Sequence, residues 1–208
     1  MFNTSSKNSN KYWIANNTVT INNGYTLKLT TNYTNDYYYY VLFCYNTFTN
    51  NGNVIIKDNA YLDIDYNNTK GNPISDSTNN GTIDIINGVL GLYNSATLNN
   101  TRTITLKGSS VIDIDSSSTL TNKGTIDISN ITNLSKWYNN GTFKLEGGST
   151  FILPKSILED SKKINTSMWK KPITLSDSSN KVNIVVPKDC KYITDIDNNN
   201  KGVLFSII

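Results

Sequence analysis

The sequence predicts an all-β protein wound into a three-sided coil of about 21 residues per turn. Three observations carry this reading. An octapeptide nearly repeats, as TNNGTIDI at 78–85 and TNKGTIDI at 121–128. Apolar residues two apart recur along the chain, at Val19/Ile21, Val54/Ile56, Ile83/Ile85, Ile104/Leu106, Ile126/Ile128 and Phe143/Leu145. Four residues before these pairs stand Ala15 and then Asn50, Asn79, Asn100, Asn122 and Asn139.

Residues two apart on a strand share a face, so each pair reads as the inward side of one short strand. Seven or eight residues later comes a second set, Leu27/Leu29, Leu62/Ile64, Leu90/Leu92, Ile112/Ile114 and Phe151/Leu153. Six residues before the first set lies a third apolar position, at Trp13, Phe48, Leu98, Leu120 and Trp137, with Ser77 as the exception. One turn is therefore three apolar sides joined by polar corners. The clean spacings are 21 residues (83 to 104) and 22 (104 to 126). Longer spacings place insertions at 30–47 and 65–77. Stacked turns would pile the five Asn amides into a ladder. Gly52, Gly81, Gly124 and Gly141 occupy one corner, which suggests positive φ there, with Arg102 as a misfit.

The organisation read from this pattern is an N-terminal arm over 1–11, a repeat body over 12–153, and a C-terminal cap or assembly segment over 154–208. Trp13 at one end, and Trp137, Phe143 and Phe151 at the other, are expected to fill the ends of the core. Pro154 breaks the pattern. Beyond it, Val182–Val186, Tyr192–Ile196 and Val203–Ile208 read as strands, and 156–164 as a short helix.

The Asn-x-Gly units followed by alternating apolar residues resemble the parallel β-helix, or β-solenoid, of bacterial adhesin passenger domains and viral fibre or tailspike proteins. The resemblance covers residues 12–153. It implies a right-handed, three-sided solenoid whose stacked turns bury one continuous core, here closed by the β-rich C-terminal cap.

Composition narrows the function. Hydrophobic residues are 37% and charged residues 17% of the chain, and the net charge is +3. Residues 154–208 carry nine Lys and six acids, which accounts for all of it and leaves the repeat body neutral. A neutral body is a poor nucleic-acid binder. His is absent, which removes His-based catalysis and His-ligated metals. Cys44 and Cys190 are expected to be free thiols. No cofactor is expected. The first residues lack a signal-peptide core, and no run is long enough for a membrane span. The expected location is a virion or an extracellular surface.

Two groups of residues are candidates for contact. Tyr33, Tyr37, Tyr38, Tyr39, Tyr40 and Tyr45 cluster in the first insertion, where tyrosine suits rod covering, a subunit interface and sugar stacking alike. Asp84 and Asp127, and Asp63 and Asp113, each stand two turns apart on outward positions, about 9–10 Å. That approaches the carboxylate spacing of inverting glycosidases, but no His accompanies them and Arg102 is the only arginine. An ice-binding face would need an outward ladder of Thr, and the outward series read this way holds only Thr20 and Thr105. The expected function is a non-enzymatic structural or attachment protein that forms homo-oligomers or joins other surface or virion proteins. The alternatives are glycan binding through the tyrosines and, further off, polysaccharide cleavage.

Overall fold

The computed structural model describes residues 3–4, 13–31, 39–65, 76–132, 140–154, 173–175, 181–186 and 205–207. All described secondary structure is β. After β1 (Asn3–Thr4), five turns each supply three strands. These are β2 (Trp13–Ala15), β3 (Val19–Ile21) and β4 (Thr26–Thr30); β5 (Tyr39–Cys44), β6 (Phe48–Asn50) and β7 (Asn53–Lys57); β8 (Ala60–Asp65), β9 (Ser77–Asn79) and β10 (Thr82–Ile86); β11 (Val89–Tyr93), β12 (Thr97–Asn100) and β13 (Thr103–Gly108); and β14 (Val111–Ile114), β15 (Thr119–Asn122) and β16 (Thr125–Ile131). Then follow β17 (Thr142–Leu145), β18 (Thr150–Ile152), β19 (Ile173–Leu175), β20 (Asn183–Val185) and β21 (Phe205–Ile207).

The strands stack into three sheets of a parallel β-solenoid. Sheet A runs β1-β2-β5-β8-β11-β14, sheet B runs β3-β6-β9-β12-β15-β17-β19-β21, and sheet C runs β4-β7-β10-β13-β16-β18-β20. Every pairing is parallel except β1 with β2, where the antiparallel Asn3–Thr4 covers the outer edge of sheet A. The eight strands of sheet B rise about 34 Å at ~4.8 Å per step.

Turns two to five carry the expected phase, and the ends are displaced by one side. Val19 and Ile21 pair with Phe48 and Asn50 in sheet B, not with Val54 and Ile56. Leu27 and Leu29 are the residues that meet Val54 and Ile56, in sheet C. At the other end Phe143 stacks on Leu120 in sheet B, and Phe151 on Ile126 in sheet C. The cause is the likeness of the three sides. Each offers an apolar pair six to eight residues after the last, so a one-side slip still sets apolar against apolar. The slip also made the second turn's sheet A strand look like an insertion. Residues 39–44 form that strand, with Leu42 and Cys44 buried in the core.

The core is one column of aliphatic residues running through all turns, including Ile56, Ile64, Ile85, Leu92, Leu106 and Ile128. Phe143 and Phe151 lie inside this column, fully buried and edge to face at 5.4 Å; they do not fill its end as expected, because β19 and β20 stack on their strands and Ile173 continues the core. Trp13 stands in register with buried Leu42 on the first parallel rung of sheet A, and at that end of the column it is 42% exposed. Trp137, Tyr192–Ile196 and the 156–164 helix lie outside the described residues.

The corner glycines are needed for a different reason from the one expected. Gly52, Gly81 and Gly124 are not among the residues with positive φ. Instead, a Cβ at Gly81 would run into the carbonyl oxygen of Gly52, and a Cβ at Gly124 into that of Arg102. The turns approach too closely for a side chain. Arg102 shows the cost. Thr103 N–H reaches the Gly81 carbonyl at 3.3 Å, whereas the matching bonds from Asn53, Thr82, Thr125 and Thr150 span 2.6–3.0 Å. Gly141 occupies another corner, where its Cβ would meet Asp115. Positive φ occurs where the chain turns elsewhere, at Gly24, Gly108 and Gly148 and at Asp58, Asn59, Asn87, Asn94 and Ser95.

Candidate functional site

Inside the B–C corner, β6, β9, β12 and β15 each end on an Asn whose side chain points into the core. Asn50 Nδ2 donates to Asn79 Oδ1, Asn79 Nδ2 to Asn100 Oδ1, and Asn100 Nδ2 to Asn122 Oδ1, all at 2.7 Å. The second Nδ2 hydrogen of each reaches a backbone carbonyl of the next turn: Thr82 (2.9 Å), Thr103, Thr125 and Thr150 (3.1 Å each). All four amides are fully buried. Their carbonyls also accept from the corner, as Gly52 N–H does to Asn50 Oδ1 at 3.1 Å. A buried polar group is tolerated only when its hydrogen bonds are made, and here the stacking itself makes them. Apolar residues end the ladder: Ile21 stands in register with Asn50, and Leu145 with Asn122. Leu145 thus holds the rung expected for Asn139, which lies outside the described residues, and Ala15 belongs to sheet A.

Of the tyrosine cluster, Tyr33, Tyr37 and Tyr38 lie outside the described residues. Tyr39 and Tyr40 place their backbone in β5, opposite Ala60 and Tyr61. Tyr45 follows that strand, partly buried, with its ring 5.9 Å from Phe43. Cys44 is a free, buried thiol whose pKa is pushed up by burial and by nearby Asp63. Cys190 lies outside the described residues.

The corrected register reorders the outer faces. On sheet B, Thr20, Thr49, Thr78, Asn99, Thr121, Lys144 and Thr174 form one outward column. Thr97, Thr119 and Thr142 form part of a second beside it. An outward Thr ladder therefore exists on sheet B, broken by Asn99 and Lys144; Thr49, Thr78 and Thr121 lie on the third side of the turn, not on the two sides whose outward series held Thr20 and Thr105. Sheet C is mixed, with Lys28, Ile55, Asp84, Thr105, Asp127 and Ile152 in its central column. Asp84 and Asp127 are two rungs apart there, with Thr105 between them.

Sheet A carries the most structured outer surface. Its central outward column runs Ile14, Phe43, Asp63, Gly91 and Asp113. Gly91 leaves room for two rings. A Cβ there would stand 2.5 Å from Tyr93 and 2.6 Å from Tyr61. The rings stack with centroids 6.4 Å apart and planes at 29°. Their hydroxyls hydrogen-bond each other, and Tyr93 Oη donates to Asp113 Oδ2 at 2.5 Å. Tyr61, Val89 and Val111 form a small apolar cluster outside the main core, with Tyr93 packed on it. Asp63 is only 4% exposed, and its Oδ1 has no hydrogen-bond partner. Burial, then the charges of Asp65, Asp113 and Asp115, push its pKa up to about 7. Asp115 goes the other way. Burial opposes its charge, but hydrogen bonds from Ser118, the Asn94 backbone and Ser117 outweigh burial and hold it below the usual carboxylate range.

The sequence named Asp63 and Asp113 but missed Tyr61 and Tyr93. The available signal was Gly91, a glycine inside a strand, which marks close approach by other groups. The tyrosine rings lie over Gly91, which stands between the two carboxylates in the column. Among the described residues, no group of three or more His, Cys, Asp or Glu could hold a metal ion, and no helix is long and apolar enough to cross a membrane. No protein-family model, curated protein or solved structure matches this chain.

Proposed function

We propose that this chain is a non-enzymatic structural or attachment element of a virion or cell surface, with the solenoid as a stiff spacer. The observation that carries the reading is the internal amide ladder. It ties four successive turns together with side-chain bonds of 2.7 Å, in addition to the backbone ladders of three sheets. Such a body resists bending and local unfolding, which suits a spacer better than a catalyst that must open and close. Homo-oligomers, or contacts with other surface proteins, would form through the C-terminal segment and the tyrosine-rich stretch around Tyr37–Tyr40. Light scattering with negative-stain microscopy tests this. Trimers, filaments or sheets of rods support it, and a monodisperse monomer that labels no intact surface with antibody overturns it.

The sheet B threonines favour a second reading. Hydroxyls and methyls repeated every ~4.8 Å on a flat sheet offer a regular surface to ordered water or to a repeating polymer. Thermal hysteresis of the purified protein, lost on Thr49→Lys and Thr121→Lys, would support it. Freezing behaviour equal to that of an inert protein would discard the water-ordering form. A glycan screen, with Tyr37→Ala and Tyr39→Ala as controls, tests the carbohydrate alternative.

A further inference from the structure

We propose that the outer face of sheet B binds the ordered water of an ice surface. The inference rests on the second reading above, that the sheet B threonines form a regular contact surface, and it commits that surface to one partner.

Of the three outer faces, this one is both open and nearly uncharged. On sheet A the outward residues Tyr61, Asp63, Val89 and Gly91 are buried along with the inward ones, so that face is already covered. Sheet C sets Lys28, Asp84 and Asp127 in its central column, and Lys57 and Lys107 in the column beside it. On sheet B the inward residues of β6, β9, β12, β15 and β17 are buried, and the outward ones between them reach solvent. The charges at this face are held from within the chain. The Asp76 carboxylate accepts from Thr97 Oγ1 at 2.5 Å and from Asn99 Nδ2 at 3.1 Å. Lys144 Nζ lies 3.3 Å from a Glu146 oxygen.

The hydroxyls of this face are also unspent. Those of Thr49, Thr78, Thr119, Thr121 and Thr142 have no side-chain hydrogen bond within the chain among the described residues. Around the neighbouring corner the hydroxyls are used up, with Thr82 donating to Asn53 and Thr101 to Asn80, both at 2.8 Å. The open threonines are fixed in place as well. A β-branched side chain is stiff at χ1, and each of these sits on a strand paired on both sides. The array is therefore preformed, and binding pays little to order it. Its two columns repeat every ~4.8 Å along the rod and stand about 6.6 Å apart along the strand. From β6 to β17 they span four steps, about 19 Å.

Each threonine offers one hydroxyl and one methyl, so a single contact is weak. Useful affinity requires many equal contacts made together, and hence a partner that repeats in two dimensions. An ice surface does so: it presents donors and acceptors on a fixed lattice, with small hollows that a methyl fills. A polysaccharide would draw on aromatic faces and convergent polar groups, and the two columns hold no aromatic ring.

The test is partition of the purified full chain into slowly growing ice, measured against an inert protein of similar mass, with cellulose and chitin pull-downs alongside. The proposal predicts enrichment of wild type in the ice fraction. Thr119→Tyr and Thr121→Tyr should lose that enrichment, while Thr105→Tyr on sheet C should keep it. Circular dichroism checks that each variant is folded. Should either sheet B variant fail to fold, Thr142→Tyr at a more exposed rung decides instead. Exclusion of wild type from ice, with retention on cellulose or chitin that Thr121→Tyr abolishes, overturns the proposal and leaves the regular-surface reading standing. Exclusion from ice with no polymer bound overturns both. Enrichment that survives the sheet B substitutions overturns the placement on this face.

Discussion

Asn79 donates to Asn100 across 2.7 Å in a fully buried corner, although the two residues stand 21 positions apart in the chain. That bond exists only if whole turns stack in register. It joins the sequence repeat to the fold more tightly than any apolar contact does, because an amide has a direction and a methyl has none.

Asn100 stands mid-ladder, with a partner on either side. Replacing it by Ala strips Asn79 of an acceptor and Asn122 of a donor in the core. The expected cost is about 2–4 kcal/mol, seen as a fall in Tm of roughly 6–12 °C. Asn80→Ala, at the exposed neighbouring position, should cost under about 0.5 kcal/mol. Thermal unfolding of both variants by circular dichroism checks the contrast.

Gly81 and Gly24 are needed for opposite reasons, which a single substitution separates. Asn accepts positive φ, and nothing lies within 4 Å of a Cβ at Gly24. Gly24→Asn should therefore be close to neutral. Gly81→Asn meets the Gly52 backbone and should cost about 1–3 kcal/mol. Chemical denaturation of the two variants measures the difference directly.

Asp63 sets a pH slope on stability. Its folded pKa of about 7 lies above the unfolded value of 3.8. Its contribution is thus fully present below about 3.8 and is lost as pH rises through about 7. Asp58 and Asp115, whose folded values are lowered, act in the other direction and lose their contribution as pH falls. Asp63→Asn should match wild type at pH 4 and exceed it by a few kcal/mol at pH 8. Urea unfolding at the two pH values gives the comparison.

Phe143 and Trp13 were both expected to fill ends of the core, but Phe143 lies inside it, beneath β19, and Trp13 stands on the first rung, half exposed. Phe143→Ala should cost about 3–5 kcal/mol, because the ring is buried against Phe151. Trp13, 42% exposed, should cost under about 1 kcal/mol on the same change. Unfolding midpoints with unchanged m-values would confirm that stability alone is altered.

The all-β class, the three-sided turn and the rows of turns two to five were legible because apolar pairs and corner asparagines recur with one phase. The displaced ends were not, because Val19 fits equally well beside Val54 or Phe48. Only supply of a sheet A strand from residues 39–44 decides between them, and that strand is irregular, with its register shifting between Tyr40 and Leu42. The outward Thr column was hidden for a separate reason: Thr49, Thr78 and Thr121 are each followed by a ladder Asn and not by a second apolar residue, so no apolar pair marked them as outward. Gly81 misled for another reason. A glycine signals either positive φ or close approach, and the sequence alone does not say which. The Tyr61–Tyr93 cover was illegible because it depends on side chains crossing from one turn to the next over Gly91. No local pattern records such a crossing.

The register of the first turn is the part of the account on which the first rung of the Thr column, the Ile21 end of the ladder and the second-turn strand all depend. Paired cysteines test it most directly. Thr20 and Thr49 are lateral neighbours in sheet B, about 4.8 Å apart between strands, within the range a disulfide bridges. The double variant Thr20→Cys/Thr49→Cys should cross-link under mild oxidation, with the bridge mapped by peptide mass spectrometry. The variant Thr20→Cys/Ile55→Cys, which the slipped phase would bring together, should not. Cross-linking of the second pair in preference to the first would contradict the stacking described here.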